Sequence, residues 1–434
     1  MSITHHDSLS NSNGPDENAI LVGVRWGDTS SRIMDEHLAE LRLLTETAGG
    51  TVVGQVIQRR TRPDAATFIG KGKTESLKWQ AQELGCSLIV FDDDLTPSQQ
   101  KNLQQAIGDS IKVIDRSGLI IDIFAQHART REAQTQVELA QLQYLLPRLT
   151  RQWTHLERQM GGIGTRGGPG EAQIEVDRRL IRTRIKKLKD ELRHITAERT
   201  IQSRRRKSTY RVALVGYTNA GKSTLMNALT DAGVFVEDRL FATLDTTTRK
   251  LTFGENHSIL LSDTVGFIRK LPHHLIASFR STLAEVAEAD LLLKVIDATS
   301  PQAEEHFKTI NEVLEYLELN EKTSIAVLNK LDAIDDESAL KRLQRHFPDG
   351  VVVSASQRLR LDQLEAAILN AYTHDFEECI LRIPTQLAKL ISSVYETLEV
   401  KDRVFEGDEA VLKVRGPKRA IEVFQEKILE NADR

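Results

Sequence analysis

A short glycine-containing segment has the residue types and spacing of a phosphate-binding loop. The sequence GYTNAGKS runs from Gly216 to Ser223, after the apolar stretch RVALV and before the helix-forming stretch STLMNALT. Its glycines let successive backbone N–H groups turn inward around phosphate oxygens, and the following helix adds its positive N-terminus. Lys222 is expected to reach the β- and γ-phosphates, and the Ser223 hydroxyl to ligate Mg²⁺. The predicted nucleotide contacts here are Gly216, Tyr217, Thr218, Asn219, Ala220, Gly221, Lys222 and Ser223, with the Tyr217 side chain directed outward.

A second motif favours guanine over the other bases. The tetrapeptide NKLD (329–332) directly follows the apolar run SIAVL. At the end of a strand, the Asp332 carboxylate can accept hydrogen bonds from the N1–H and the exocyclic amino group of guanine, whereas adenine has no such donor pair. Asn329 would bridge the base and the phosphate loop, and Lys330 would pack over the ring. The predicted base contacts are Asn329, Lys330, Leu331 and Asp332, with Ser354, Ala355 and Ser356 from a loop after VVV.

Two further segments have the character of nucleotide switches. DTVG (263–266) ends the apolar run ILLS. Asp263 would hold Mg²⁺ through water and the Gly266 amide would meet the γ-phosphate, so loss of that phosphate would free the segment. In the stretch FATLDTTTR we choose Thr243 as the second Mg²⁺ ligand, while Thr246, Thr247 and Thr248 remain competitors for that role. The predicted contacts in DTVG are Asp263, Thr264, Val265 and Gly266, and the predicted catalytic residues are Lys222, Thr243 and Gly266.

The residue after DTVG is Phe267, at the position where a Ras-like GTPase places the glutamine that orients the attacking water. A phenyl ring cannot hydrogen-bond water. We therefore expect slow intrinsic hydrolysis unless another group, including one supplied by a partner, holds the water. Arg249 and Arg269 are possible helpers, although both could equally be solvated arginines on surface loops.

The elements that must position these residues follow a βα alternation. From Ala19 to Ile123, short apolar runs alternate with helical patterns, which lie at 35–48, 73–84 and 97–107. The same alternation returns after residue 209. It predicts two parallel α/β domains. Between them, helical spacing on both sides of a glycine-rich segment (161–170) predicts an antiparallel arm with a flexible tip. The predicted organisation is a disordered tail (1–18), an N-terminal α/β domain (19–135), a helical arm (136–208), a P-loop G domain (209–372) and a small C-terminal α/β domain (373–434).

Charge is unevenly distributed over the 434 residues. The whole chain has a formal charge of −4, but residues 148–207 contain 17 Lys/Arg and 7 Asp/Glu, so this stretch carries +10 and the remainder −14. The positive charge of a basic arm would attract RNA phosphates in a salt-dependent way. A run of charged residues can also serve only to keep one face of a helix in contact with solvent. The chain has only two cysteines, which excludes a disulfide scaffold. It has no apolar run of about 18 residues and no secretory signal, which excludes a membrane channel. The composition also excludes collagen and a wholly disordered chain.

The order of motifs resembles the HflX family of translation-factor-related GTPases. GYTNAGKS, FATLD, DTVGF and NKLD occur in the family's order, and the segments RRTRPDAATFIGKGK (59–73) and GGIGTRGGPGE (161–171) resemble family elements outside the G domain. The resemblance implies that FATLD contacts the nucleotide, with Thr243 as Mg²⁺ ligand. The residues so implied are Phe241, Ala242, Thr243, Leu244 and Asp245. Thr246 stands where the family pattern would have proline, which could loosen the switch.

The resemblance also implies a function. It implies a cytoplasmic GTPase that binds GTP and GDP with Mg²⁺, binds the large ribosomal subunit and its rRNA, and splits or rescues ribosomes stalled under stress. We expect a monomer that does not bind DNA, and peripheral membrane association stays open.

Other functions are compatible with parts of the sequence. The alternatives are a P-loop kinase acting on a small molecule, an RNA-remodelling protein with regulatory GTP, and a GTPase that regulates a membrane protease. The NKLD motif argues against the kinase. RNA remodelling is the main alternative.

Overall fold

A computed structural model of the chain describes residues 17–27, 30–149, 171–204, 209–230, 240–241, 244, 246–253, 257–270, 283–334, 337–374 and 376–432. These residues form two compact units. The first comprises the described parts of 1–126 and 140–185, and the second those of 127–139 and 186–434. None of the helices in these ranges combines the length and the apolar character needed to span a bilayer.

The first unit is built on a four-stranded parallel sheet with strand order β2-β1-β3-β4. Its strands are β1 (Glu17–Arg25), β2 (Gly50–Arg59), β3 (Leu88–Phe91) and β4 (Lys112–Asp115), and its helices are α1 (Ser31–Thr47), α2 (Lys71–Glu83), α3 (Pro97–Ile107) and α4 (Arg116–His127). A capping box between Thr96 and Gln99 starts α3, with Pro97 at the first helical turn. The βα alternation of the sequence thus forms the predicted parallel α/β fold.

A network of buried charges lies at the carboxyl edge of this sheet. Asp115 accepts hydrogen bonds from the Tyr144 hydroxyl (2.9 Å) and from Arg148 (3.1 Å). Next to it, the fully buried Arg116 pairs with Asp92 at 3.0 Å. Charges can be buried in this way because each has an opposite charge and further hydrogen bonds. The network fastens the chain at 144–148 to the sheet.

Two helices form the described part of the arm. They are α5 (Arg131–Leu145), followed by a 3₁₀ turn (Leu146–Arg148), and α6 (Glu171–Arg204). With 34 residues, α6 is about 50 Å long at 1.5 Å per residue. Ile181 and Leu188, which are seven residues apart on this helix, are both buried. The predicted glycine-rich tip (161–170) lies outside the described residues.

The second unit contains a six-stranded sheet with strand order β10-β9-β8-β5-β7-β6, in which only β6 is antiparallel to its neighbour. Its strands are β5 (Arg211–Gly216), β6 (Thr247–Phe253), β7 (His257–Asp263), β8 (Leu291–Asp297), β9 (Ser324–Asn329) and β10 (Val351–Val352). The helices are α7 (Lys222–Thr230), α8 (Ala284–Glu288), α9 (Ala303–Tyr316), α10 (Glu337–His346) and α11 (Leu361–His374), with a 3₁₀ turn at Leu331–Ala333.

The central strand β5 is buried on both faces. Val212 and Leu214 belong to one apolar cluster, and Ala213 and Val215 to another on the opposite face. The neighbours of β5 are β7 and β8, and β9 pairs with β8. All four strands are parallel, so their carboxyl ends meet at one edge, where open α/β sheets bind ligands. The predicted nucleotide motifs GYTNAGKS, DTVG and NKLD all follow strands that end there.

A small antiparallel sheet with strand order β11-β13-β12 ends the second unit. Its elements are β11 (Phe376–Pro384), α12 (Ala388–Thr397), β12 (Glu399–Glu406), β13 (Glu409–Pro417) and α13 (Lys418–Ala432). A tight turn containing Gly407 (φ 60°) joins β12 to β13. Alternate residues such as Leu381, Ile383, Leu412 and Val414 form a core with Phe424 of α13. These three strands and two helices form an α/β arrangement, as the sequence predicts for the C-terminal part of the chain.

Candidate nucleotide site

The phosphate loop turns sharply between β5 and α7, and its glycines are there because no side chain fits. A Cβ on Gly216 would lie 2.4 Å from the Val295 carbonyl oxygen, and one on Gly221 would lie 2.3 Å from Asn329 Nδ2. Gly221 also has a φ of +87°, in the region that favours glycine. Asn219 adopts a left-handed conformation as well (φ 59°). The backbone of the loop therefore follows the tightly wound path that the sequence motif predicts.

Lys222 lies at the centre of this loop. Its ammonium donates hydrogen bonds to the carbonyl oxygens of Tyr217 (3.0 Å) and Gly216 (3.3 Å), and the residue is only 6% exposed. Burial lowers the pKa of Lys222 to about 8, against the opposing effect of Asp263. Because a buried ammonium is stabilised by an anion, this position suits a phosphate oxygen.

Ser223 and Asp263 meet beside Lys222. The Ser223 hydroxyl donates to Asp263 Oδ2 at 2.5 Å, and Asp263, the last residue of β7, is fully buried. The neighbouring Thr264 hydroxyl donates to the Leu214 carbonyl (2.7 Å), which fixes the start of DTVG against β5. A hydroxyl and a carboxylate are hard oxygen donors of the kind Mg²⁺ prefers. The described part of the chain contains no group of three or more His, Cys, Asp or Glu side chains that could hold a metal ion.

Gly266 and Phe267 are docked directly on the phosphate loop. The Thr218 amide donates to the Phe267 carbonyl (2.7 Å), and the Phe267 amide donates to the Gly216 carbonyl (2.9 Å). A Cβ on Gly266 would lie 2.8 Å from Thr218 Cα and 3.0 Å from Lys222 Nζ. The phenyl ring of Phe267 is 1% exposed and packs in an apolar cluster. Residue 267 therefore belongs to the core and has no access to a water molecule at the phosphates.

Tyr217 differs from the prediction that it points outward. It is 6% exposed, and its ring stacks on His306 of α9 with the centroids 3.9 Å apart and the planes at 13°. Its hydroxyl accepts a hydrogen bond from the backbone amide of Arg269 (2.7 Å). The side chain thus links the phosphate loop to the segment after DTVG and to a distant helix. The sequence offered no signal for this, because His306 is far away along the chain.

Asn329 joins the phosphate loop to the loop after β10. Its Nδ2 donates to the Ala220 carbonyl (2.9 Å), and its Oδ1 accepts from the Ala355 amide (3.0 Å). Lys330 follows in a left-handed conformation (φ 67°) and pairs with Asp297 at 2.8 Å. Asp297 was not among the predicted residues; its position at the carboxyl end of β8 was the available signal. The Leu331 amide donates to the Val353 carbonyl (3.1 Å), which holds the motif against β10.

Asp332 is held by two serines of the loop after β10. The hydroxyls of Ser354 and Ser356 both donate to its carboxylate, the latter at 3.0 Å. The hydrogen bond from Ser354 is the main cause that lowers the pKa of Asp332, and Ser356 adds to it. The carboxylate is therefore anionic at neutral pH and fixed in direction. The structure thus brings together NKLD and Ser354-Ala355-Ser356, the two segments assigned to the base.

The FATLD segment is described only in part. Phe241 and Leu244 are buried, and Phe241 adopts a left-handed conformation (φ 57°). Ala242, Thr243 and Asp245 lie outside the described residues, so Thr243 as a Mg²⁺ ligand stays a prediction. Among its competitors, Thr247 and Thr248 are part of β6, and the Thr248 hydroxyl is hydrogen-bonded to Ser262 (2.9 Å).

The two arginines considered as helpers have different surroundings. Arg249 is exposed on β6, and its guanidinium donates to the Thr248 carbonyl (3.0 Å). Arg269 is partly buried, and its backbone amide is bonded to the Tyr217 hydroxyl. Neither arrangement assigns a guanidinium to catalysis.

Comparison with known proteins gives matches along most of the chain. Residues 35–125 match a family described as GTP-binding GTPase N-terminal, 127–206 one described as GTP-binding GTPase Middle Region, and 211–330 one described as 50S ribosome-binding GTPase. The GTPase HflX of Flavobacterium psychrophilum is 52% identical over 337 residues, 76% of this chain and 81% of that protein. The GTPase HflX of Escherichia coli is 42% identical over 405 residues, 92% of this chain and 94% of that protein. A solved GTP-binding protein of Sulfolobus solfataricus with GDP is 25% identical over 82% of this chain and 98% of that one, with a TM-score of 0.42.

Proposed function

Because the chain belongs to the HflX family of GTPases, we propose that it hydrolyses GTP on the large ribosomal subunit, and that the bound nucleotide controls how its basic arm meets rRNA. It is a GTP hydrolase by family. A row of exposed basic side chains on α6 is the observation that supports binding to the ribosome.

In this proposal the phosphate loop and the NKLD segment bind GTP and GDP. Asp332 accepts from the base, and Asn329 holds the base loop and the phosphate loop at a fixed distance. The Lys222 ammonium now donates hydrogen bonds to two carbonyl oxygens of the loop. When a nucleotide binds, the ammonium would exchange these two contacts for hydrogen bonds to phosphate oxygens. Burial makes that exchange favourable, because an anion compensates the charge better than neutral carbonyls do.

Mg²⁺ fits beside Ser223 and Asp263. Ser223 would bind the ion directly, and Thr243 would be the second direct ligand; Asp263 would act through water. The 2.5 Å contact between the Ser223 hydroxyl and the Asp263 carboxylate supports this, because it directs two hard oxygen donors to one point. When bound, the ion would neutralise charge that develops on the phosphate oxygens.

The γ-phosphate would act on the segment that contains Gly266. Gly266 lies against Thr218 and Lys222, and its amide would meet that phosphate. A ligand shifts a conformational equilibrium only through contacts that differ between states, and here that contact is absent with GDP. With Phe267 in the core, we expect slow intrinsic turnover that the ribosome stimulates.

The basic row on α6 would contact rRNA. Arg179, Arg182, Lys186 and Lys189 are exposed and spaced by three and four residues, so they lie along one face of the helix. Such a row can neutralise successive phosphates without reading sequence. The glycine-rich segment at 161–170, which lies outside the described residues, has few side chains and would permit close approach to RNA.

We place the protein in the cytoplasm as a monomer that does not bind DNA, with peripheral membrane association left open. Its role there would be to split or rescue ribosomes stalled under stress. RNA remodelling away from the ribosome is the alternative, since a basic helix face would also attract free RNA duplexes.

Neutralising the basic row tests the proposal. Changing Arg179, Arg182, Lys186 and Lys189 together to Gln should weaken binding to the large subunit and abolish ribosome-stimulated hydrolysis, while GDP affinity stays unchanged. Four phosphate contacts predict that log K falls with log [salt] with a slope of about −3, and the variant should lose most of this slope.

The matched control changes four exposed basic residues of other helices to Gln: Lys308, Lys341, Arg342 and Arg345. It should bind and respond like the unchanged protein. Deleting residues 161–170 should also spare nucleotide affinity and remove stimulation. Unchanged stimulation in both the four-residue variant and the deletion would refute the arm proposal. Unwinding of ribosome-free RNA duplexes would instead favour the remodelling alternative.

A further inference from the structure

Hydrolysis needs a group that holds the attacking water in line with the γ-phosphate, and Phe267 cannot be that group. Its ring is buried in an apolar cluster and its backbone is committed to the phosphate loop. A replacement within this chain must be a polar group close to Gly266 and Lys222, since the proposed function, on which this inference rests, places the terminal phosphate beside these two residues.

Thr218 is in that place. A Cβ built on Gly266 would lie 2.8 Å from Thr218 Cα, 2.9 Å from its Cγ2 and 3.0 Å from Lys222 Nζ. The methyl group of Thr218 thus faces the Gly266 position. Rotation about the Cα–Cβ bond to another staggered rotamer brings the hydroxyl of a threonine to the place of its methyl group with no movement of the backbone. The backbone at Thr218 is itself fixed by the hydrogen bond from its amide to Phe267.

The hydroxyl of Thr218 has no hydrogen-bond partner among the described residues, although the residue is 6% exposed and the oxygen atom is buried. A buried hydroxyl without a partner destabilises the folded state, so it calls for an explanation. Neighbouring hydroxyls are engaged: that of Thr264 donates to Leu214, and that of Ser223 donates to Asp263. The Tyr217 hydroxyl accepts from Arg269.

We propose that Thr218 is a catalytic residue whose hydroxyl accepts a hydrogen bond from the attacking water, in the role that a glutamine fills in Ras-like GTPases. The inference concerns hydrolysis itself and does not depend on the ribosome. A threonine hydroxyl is too weak a base to remove a proton from water. The water oxygen forms the new bond to the γ-phosphorus while the bond to the β–γ bridging oxygen breaks. GDP carries away that electron pair, and the water proton passes to an oxygen of the released phosphate.

Two variants of Thr218 separate the effect of its hydroxyl from that of its methyl group. Thr218→Val keeps the branched shape and removes the hydroxyl, whereas Thr218→Ser keeps the hydroxyl and removes the methyl. Single-turnover hydrolysis of GTP by excess protein, without ribosomes, should slow by about tenfold in Thr218→Val, the loss expected for one hydrogen bond to the water. It should remain within a few-fold of the unchanged protein in Thr218→Ser. The Kd for GDP should be unchanged in both.

Thermal unfolding without added nucleotide separates catalysis from structure. Because the hydroxyl has no partner in the described residues, Thr218→Val should keep or raise the Tm. The control is Thr45→Val, which removes a buried hydroxyl that donates to the Leu41 carbonyl (2.8 Å); it should lower the Tm and leave hydrolysis unchanged. An unchanged rate in Thr218→Val would overturn the proposal. So would a rate in Thr218→Ser as low as that of Thr218→Val, or a loss of rate accompanied by loss of Tm and of GDP affinity.

Discussion

Replacing Asp332 by Asn should exchange the base specificity of the nucleotide site. The carboxylate is fixed by Ser354 and Ser356, which leaves it oriented and anionic. In the proposed complex it accepts two hydrogen bonds from guanine. Hydrogen bonds to a charged group contribute about 1.5–3 kcal/mol each, so losing both predicts about 3–6 kcal/mol. That corresponds to a Kd for GDP weaker by about 10² to 10⁴-fold.

The assay is titration calorimetry with GDP and with xanthosine diphosphate, whose C2 carbonyl can accept from the Asn amide. Asp332→Asn should prefer xanthosine diphosphate, whereas the unchanged protein should prefer GDP. Asp362→Asn, at an exposed position in the first turn of α11, is the control and should bind GDP normally. If the Kd for GDP of Asp332→Asn stays within about threefold of the original, Asp332 does not read the base and the guanine assignment fails.

Three further predictions concern the phosphate loop. Gly221→Ala should abolish GDP binding in calorimetry and lower the Tm, since its Cβ would meet Asn329 Nδ2 at 2.3 Å with φ at +87°; unaltered binding would contradict the loop geometry. Tyr217→Phe should keep its stacking but lose the bond from the Arg269 amide, lowering the free energy of unfolding by about 1 kcal/mol in urea titration; no loss would show that this bond contributes nothing. Because burial lowers the pKa of Lys222 to about 8, below its unfolded value of 10.5, the unfolded chain binds more protons between these values. Stability measured without nucleotide should therefore rise with pH from about 8 to 10.5, by up to about 3 kcal/mol more than in Lys222→Met, and parallel curves would refute this.

Local signals explain why much of the site could be predicted. Lys222 and Ser223 begin the helix after β5, Asp263 is the last residue of β7, and Asp332 lies three residues beyond the end of β9. Each motif therefore begins where an apolar strand ends, and both signals appear together in the sequence. Helix α3 was predicted at its observed bounds, 97–107, where the observed capping box with its proline gives a sharp start. Parallel strands then bring the separate motifs to one edge of the sheet.

Contacts between residues distant in sequence could not be predicted in the same way. The pair Lys330–Asp297 depends on β8 lying next to β9, and the stack of Tyr217 on His306 depends on where α9 packs. Helix α4 (Arg116–His127) was not predicted as a separate element, because most of its residues are buried and no apolar stripe marks its period. The partnerless hydroxyl of Thr218 is likewise a property of the folded structure alone.

In the proposed mechanism, the γ-phosphate bound to the G domain governs how the basic arm meets rRNA. Its most direct test is co-sedimentation of the purified protein with large ribosomal subunits, in a non-hydrolysable GTP analogue and in GDP, over a series of salt concentrations. We expect salt-sensitive binding that is markedly tighter with the GTP analogue. Equal binding with both nucleotides, or no binding with either, would contradict it.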